Sequence, residues 1–263
     1  MITESVDDAG IAELVLDAPP VNALNLKDIA TLAGHLRSYA DDERVRVVVL
    51  RGAGHGFCGG GDVKEVQSLP GFEGILGQTH GSMELTTAIA ECAVPVIGAV
   101  HGWCIGLGVL VAGVCDVLLA APGTPFVLAE ADNGAASGMI QAIGLMPEKR
   151  LRAALFTAEP VTAEELHHFG SVLRLVPAEE LPASARDLAG RVAAKNPAVL
   201  RALKAATDES IGRDIRGVFR RELAHTLDLN LRGESAPLRE NFVRGTRGSY
   251  LQTGRTADEQ DAP

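Results

Sequence analysis

An α/β fold is what this sequence predicts: parallel strands joined by crossover helices, followed by a helical C-terminal portion. Three observations lead there. β-Branched runs at 45–50 and 94–100 each end in a glycine-rich turn that opens a helical pattern. Strand signals alternate with amphipathic stretches through the first half of the chain. After residue 137 the pattern becomes mainly helical, with one further strand signal at 172–176.

Taken in order, 11–17 alternates as a strand should, and Pro19-Pro20 breaks it. Asn25 is a fitting N-cap for a helix running to about residue 40. The buried strand 45–50 leads into the first glycine turn, and a helix at 63–69 runs into Pro70-Gly71. The glycine-containing segment from there to about residue 79 reads as mobile. A helix at 81–91 precedes the strand 94–100, the second glycine turn, a short buried helix at 106–113 and a strand at 116–120. Gly123-Thr124-Pro125 then turns the chain toward 126–130. Amphipathic helices follow at 182–194, 197–210 and 213–231, and the polar tail after Tyr250 reads as disordered.

The 263 residues suffice for one large domain with a proper core, and 46% hydrophobic with 22% charged residues is ordinary for a soluble globular protein. A net charge of −10 argues against nucleic-acid binding, which needs a basic face. Cys58, Cys92, Cys104 and Cys115 lack CxxC spacing and sit in apolar surroundings, as reduced core residues of a cytoplasmic protein do. Residues 1–10 are polar, without the apolar stretch of a secretory signal. The apolar stretch 93–122 contains Pro95, His101, Asp116 and several glycines, so it reads as strand, turn, buried helix and strand and not as a membrane span. His101, His167 and His168 lack ligand spacing, and no metal site is expected.

The chemistry is concentrated in the two turns, Phe57-Cys58-Gly59-Gly60-Gly61-Asp62 and His101-Gly102-Trp103-Cys104-Ile105-Gly106-Leu107-Gly108. A strand that ends in glycines and becomes a helix leaves backbone N–H groups unpaired. Two such turns side by side can aim two donors at one oxygen, the geometry that stabilises an enolate or a tetrahedral oxyanion.

These residues resemble the crotonase superfamily, the enoyl-CoA hydratase/isomerase family, over nearly the whole chain. The likeness rests on Pro19-Pro20-Val21-Asn22-Ala23-Leu24, on Gly56 through Glu65, on Pro95 through Gly102, on Cys115-Asp116 and on Phe126 through Glu130, in the family's order and spacing. It continues into Glu164-Glu165-Leu166 and Phe169-Gly170. The resemblance implies a spiral of ββα turns with C-terminal helices that assemble trimers or hexamers. That divides the chain into an acyl-CoA-binding core at 1–195, a helical oligomerisation region at 196–250 and a tail at 251–263. It implies an acyl-CoA substrate, with coenzyme A present only as part of that substrate. The Gly59 and Leu107 N–H groups would form the oxyanion hole, and Ala23, Leu24, Cys58, Gly61, Asp62 and Lys64 would line the path of the CoA moiety. Leu107 stands where the family usually has glycine, and a backbone donor survives that change.

The sequence departs from the family at the acids. Hydratases of this family use two glutamates; here the first position is Leu110 and the second is Glu130. Holding and deprotonating water while protonating the α-carbon takes both, so simple hydration should be slow. A single glutamate beside an oxyanion hole suits an enolate reaction. Double-bond isomerisation is favoured; carbon–carbon hydrolysis of a β-ketoacyl-CoA, or a non-catalytic acyl-CoA-binding role, are the alternatives. Asp132 reads first as a loop acid and second as a pocket group. Ser137 falls near a place where other branches of the family put an acid, but reads as a helix N-cap. Trp103 reads as core or pocket wall. Dinucleotide binding, suggested by Gly106-Leu107-Gly108, lacks its third glycine, where Val111 stands.

Overall fold

The computed structural model describes residues 1–212 and 214–244. The chain opens with strands β1 (Ile2–Val6) and β2 (Ile11–Leu16) and helix α1 (Leu26–Ser38), capped by the Asn25 side chain on the Asp28 N–H. Strand β3 (Val47–Gly52), helix α2 (Val63–Ser68) and helix α3 (Glu73–Ala90) follow. Next come β4 (Val96–Val100), the two-residue β5 (Cys104–Ile105), α4 (Leu107–Gly113), β6 (Val117–Ala120) and β7 (Pro125–Val127). The second half adds α5 (Met139–Ala142), α6 (Glu148–Thr157), β8 (Val161–Thr162), α7 (Ala163–Phe169) and β9 (Val172–Leu175). It ends with α8 (Leu181–Ala193), α9 (Pro197–Ile211), α10 (Ile215–Leu231) and α11 (Ser235–Val243).

Six strands form one sheet in the order β1-β2-β3-β4-β6-β9, parallel except for the β1–β2 hairpin. A second sheet of three short strands, β5-β7-β8, stands beside it. One face of the large sheet packs with α1, α3 and α4 into the main core; α8 covers Val47, Val49, Ile97 and Leu119 on the other. Helix α4 is buried along its whole length, as the apolar run 107–113 requires. Among the described residues no helix is long and apolar enough to cross a membrane.

The structure differs from the sequence reading, or adds to it, in four places. The N-terminal segment forms β1, whose side chains are mostly exposed and so leave no hydrophobic pattern to read. The segment expected to be mobile is the first half of α3, which begins at Glu73. A further helix, α11, follows the last one expected. Within the region 196–250 expected to mediate oligomerisation, Phe219 and Leu223 belong to this chain's own core, while Val199, Leu203 and Leu231 are exposed. The predicted tail at 251–263 lies outside the described residues.

Candidate functional site

The two glycine turns lie side by side because the strands that feed them are neighbours, β3 pairing with β4 in parallel. The turns are stitched together directly. Phe57 and Cys58 N–H donate to the Trp103 carbonyl, and Ile105 N–H donates to the Cys58 carbonyl at 3.0 Å. Glycine at 60 and 108 permits the approach. A Cβ on Gly108 would sit 2.6 Å from the Cys58 carbonyl oxygen, and one on Gly60 would sit 3.9 Å from the Leu107 nitrogen.

Leu107 is the first residue of α4, preceded by Gly106 at φ 51 and ψ −119, a conformation that suits glycine. Its N–H has no acceptor among the described residues and points out of the helix start. The Gly59 N–H is not free in the same way. It donates to the Val21 carbonyl at 2.8 Å, and the Trp103 indole N–H donates to that same oxygen at 3.1 Å. As the chain stands, the Gly59 donor is occupied, so two open donors are not what the structure shows at this pair. Trp103 is the pin that holds the Val21 carbonyl there, its ring packed over Gly56.

Buried Asn22 fixes this loop, a part the sequence did not reveal. Its side-chain amide donates to the Ala53 and Gly56 carbonyls, both at 2.8 Å, and its Oδ1 accepts from the Ala18 N–H. Leu24 pairs with the first turn: its N–H donates to the Gly60 carbonyl, and Asp62 N–H donates to the Leu24 carbonyl. Asp62 caps α2, accepting from the Lys64 and Glu65 N–H groups. Ala23 is half-buried beside it, and Lys64 is exposed at the start of α2. Cys58 is corrected: its side chain is fully buried, its thiol is pushed up to about 12 by burial, and both its backbone groups are used between the turns. Its side chain packs between the turns. Gln78 on α3 was missed because its segment read as mobile. Its amide fills the space a Cβ on Gly61 would take, and its buried Oε1 has no partner among the described residues.

Glu130 arrives at this place through the small sheet. Strand β5 pairs with β7 in parallel, and Gly106 N–H donates to the Val127 carbonyl at 2.8 Å. Three residues on, Glu130 Oε1 stands 3.7 Å from where a Cβ on Gly106 would lie. Its Oε2 is sealed from solvent with no hydrogen-bond partner among the described residues. Burial raises its carboxyl to about 7, against a smaller lowering by its own backbone N–H. Leu110, on the buried face of α4, packs against Gly138, so this side of the site is apolar.

Of the remaining candidates, Asp132 lies half-buried in the turn after Glu130. Ser137 is buried and does not cap a helix: α5 starts after Gly138 without a side-chain cap. A cavity of about 520 Å³ lies elsewhere, between α9, α10 and the body, lined by Lys204, Asp116, Asp208 and Thr207. Its buried Lys204 is already shared by Asp116 and Asp208, so its charge is neutralised within the fold. Among the described residues no group of three or more His, Cys, Asp or Glu side chains could hold a metal ion.

Comparison with known proteins identifies the family and the fold. The chain is 37% identical over 242 residues to a Rhodococcus jostii protein named (7aS)-7a-methyl-1,5-dioxo-2,3,5,6,7,7a-hexahydro-1H-indene-carboxyl-CoA hydrolase, covering 92% of this chain and 94% of that one. It is 36% identical to the Mycobacterium tuberculosis protein of the same name, covering 92% and 98%. A solved enoyl-CoA hydratase/isomerase from Pseudoalteromonas atlantica superposes with a TM-score of 0.82 at 21% identity, over 93% of this chain and 97% of that one, which establishes the crotonase fold. The family model for enoyl-CoA hydratase/isomerase matches residues 7–229, and the chain belongs to that family.

Proposed function

We propose that this chain is an acyl-CoA enzyme that hydrolyses a carbon–carbon bond in a bulky β-ketoacyl-CoA. The observation that carries the reading is a single carboxyl, Glu130, one oxygen of which is sealed from water, beside the free Leu107 N–H, with Leu110 where a second acid would stand. The sequence alone put double-bond isomerisation first. Kinship with two proteins named as hydrolases of a bicyclic dioxo carboxyl-CoA moves carbon–carbon hydrolysis ahead of it.

The chemistry needs one group that is a base first and an acid later. A carboxyl at about 7 is divided between both forms near neutrality, which suits both tasks. Glu130 takes a proton from water as the water oxygen bonds to the β-carbonyl carbon. The bond between the α and β carbons then breaks, the β carbon leaving as a carboxylic acid. The bond's electron pair passes into the thioester as an enolate, whose oxygen is held by the Leu107 N–H. Gly59 N–H joins it if the thioester oxygen displaces the Val21 carbonyl. Glu130 returns its proton to the α carbon, and the net change is the addition of one water. The apolar wall of Leu110 suits an alicyclic acyl group, since a ring buried there leaves no polar group unpaired.

The test is turnover of a cyclic β-ketoacyl-CoA followed by mass spectrometry and thiol assay. Ring opening adds the mass of one water and releases no free CoA. Thioester hydrolysis would release the thiol, and an isomerase would leave the mass of an enoyl-CoA unchanged; either outcome replaces this reading. Glu130→Gln should lower turnover by about two to four orders of magnitude with CoA-ester binding retained.

A further inference from the structure

Glu222 sits on α10, far along the chain from Glu130, yet its carboxylate is spent on the loop that follows Glu130. Oε2 accepts from the Gly138 and Met139 N–H groups at 2.8 and 3.1 Å, and Oε1 from the Ile140 N–H at 3.0 Å. One turn further along α10, Thr226 Oγ1 accepts from the Ala136 N–H at 2.9 Å. From the start of α11, Ser235 Oγ donates to the Gly134 carbonyl at 2.6 Å. All three side chains are buried.

The contacts on the other side of this loop lead to the candidate centre. Gly138 has φ 104, and a Cβ there would lie 2.7 Å from Leu110 Cδ2, so the loop is held between Leu110 and Glu222. At its near end, the Asn133 and Ala135 N–H groups donate to the Glu130 carbonyl at 3.1 and 2.8 Å. Helix α5 has four residues and no side-chain cap of its own, so nothing local satisfies these N–H groups. A carboxylate is a costly thing to bury for stability alone, and three N–H donors offset that cost only in part.

We infer that Glu222, with Thr226, is a positioning residue for the candidate centre: from α10 it presses the 134–140 loop onto Leu110 and closes Glu130 off from water. The inference rests on the acid/base reading of Glu130, and it makes α10 part of the site's machinery. No charged side chain contributes to the displaced titration of Glu130, which comes from burial, so admitting water is what should move it.

The experiment follows the Glu130 carboxyl directly in the full chain by NMR of protein labelled with ¹³C at glutamate carboxyls, with Glu130→Gln identifying the signal. In the unsubstituted protein the midpoint should lie at about 7. In Glu222→Gln one oxygen becomes an NH₂ that faces N–H donors. The midpoint should then fall by about one pH unit or more toward the ordinary glutamate value of 4.5. Thr226→Val, which keeps the shape and removes the acceptor for Ala136, should move it the same way by less. Binding of free CoA, read by calorimetry, should stay within about twofold in both, a change of under half a kcal/mol. An unmoved Glu130 midpoint in the folded variants would overturn the inference, even if Tm falls, because a merely structural acceptor lowers Tm alone. If Glu222→Gln does not fold, Thr226→Val decides by the same reading. The titration needs no substrate, so failure of the proposed hydrolysis would show separately, in the turnover assay.

Discussion

At the scale of single residues, Glu130 gives stability a pH dependence of predictable sign. Its folded-state carboxyl is raised from the ordinary 4.5 to about 7, so the folded chain binds the proton more tightly than the unfolded one. The stabilising contribution is therefore full below about pH 4.5 and is lost as pH rises through about 7. Glu130→Gln removes the titration and leaves an uncharged group of similar shape. Its Tm should match that of the unsubstituted chain near pH 4 and exceed it increasingly as pH rises from there to about 7, where the difference levels off, by scanning calorimetry. A constant difference across that range would show that Glu130 titrates normally. Glu130 and Leu110 were legible in the sequence only through the family resemblance, which marks both positions after the second glycine turn. Asn22 showed only as part of a motif, with no role attached. Glu222 left no trace, since its partners are more than eighty residues away and a lone acid on a helix looks like any solvated one.

Secondary elements explain the largest misreading. The glycines at 74, 77 and 81 look like loop residues, yet they lie on one face of α3 and are what lets it press on its neighbours. A Cβ on Gly74 would meet the Val66 carbonyl at 2.2 Å, and those on Gly77 and Gly81 would meet Leu26 and Ile29 at 2.8 and 3.0 Å. Local propensity argued against a helix there, and close packing against α1 and α2 overrode it. Gly34, exposed on α1, has no heavy atom within 4 Å of its Cβ position. The same substitution should thus act in opposite directions. Gly34→Ala should stabilise the chain by about 0.5–1 kcal/mol through helix propensity. Gly74→Ala drives a methyl into backbone that cannot yield and should destabilise it by about 1–3 kcal/mol. Denaturant titration reads both. The two glycine turns offer a third case, with function as the readout. Gly108→Ala would place a methyl 2.6 Å from the Cys58 carbonyl and force the turns apart. Turnover should fall further than the loss of stability explains, because the Leu107 N–H is displaced from its place beside the Glu130 carboxyl. Turnover equal to that of the unsubstituted chain would show that the spacing between the turns does not matter.

Over the whole molecule, the strand order was hidden while its ingredients were not. Parallel strands with crossovers were plain from the alternation of runs, but β5, β7 and β8 are too short to leave a pattern. It is their pairing that delivers Glu130 to α4. The C-terminal helices divide their apolar residues between two uses. Phe219 and Leu223 on α10 fill the chain's own core, and the same helix carries Glu222 to the 134–140 loop. Val199, Leu203 and Ile211 on α9 share one face and are each more than half exposed, as is Leu231 at the end of α10. A single chain gains nothing by presenting such a row to water, and contact with further copies would cover it. The expected state is a trimer or a hexamer, measured by light scattering coupled to gel filtration at micromolar concentration. Leu203→Asp, placed on a side chain 58% exposed, should leave the chain's own fold intact and shift the population to smaller species. A monomer before any substitution would show that the exposed row serves some other contact.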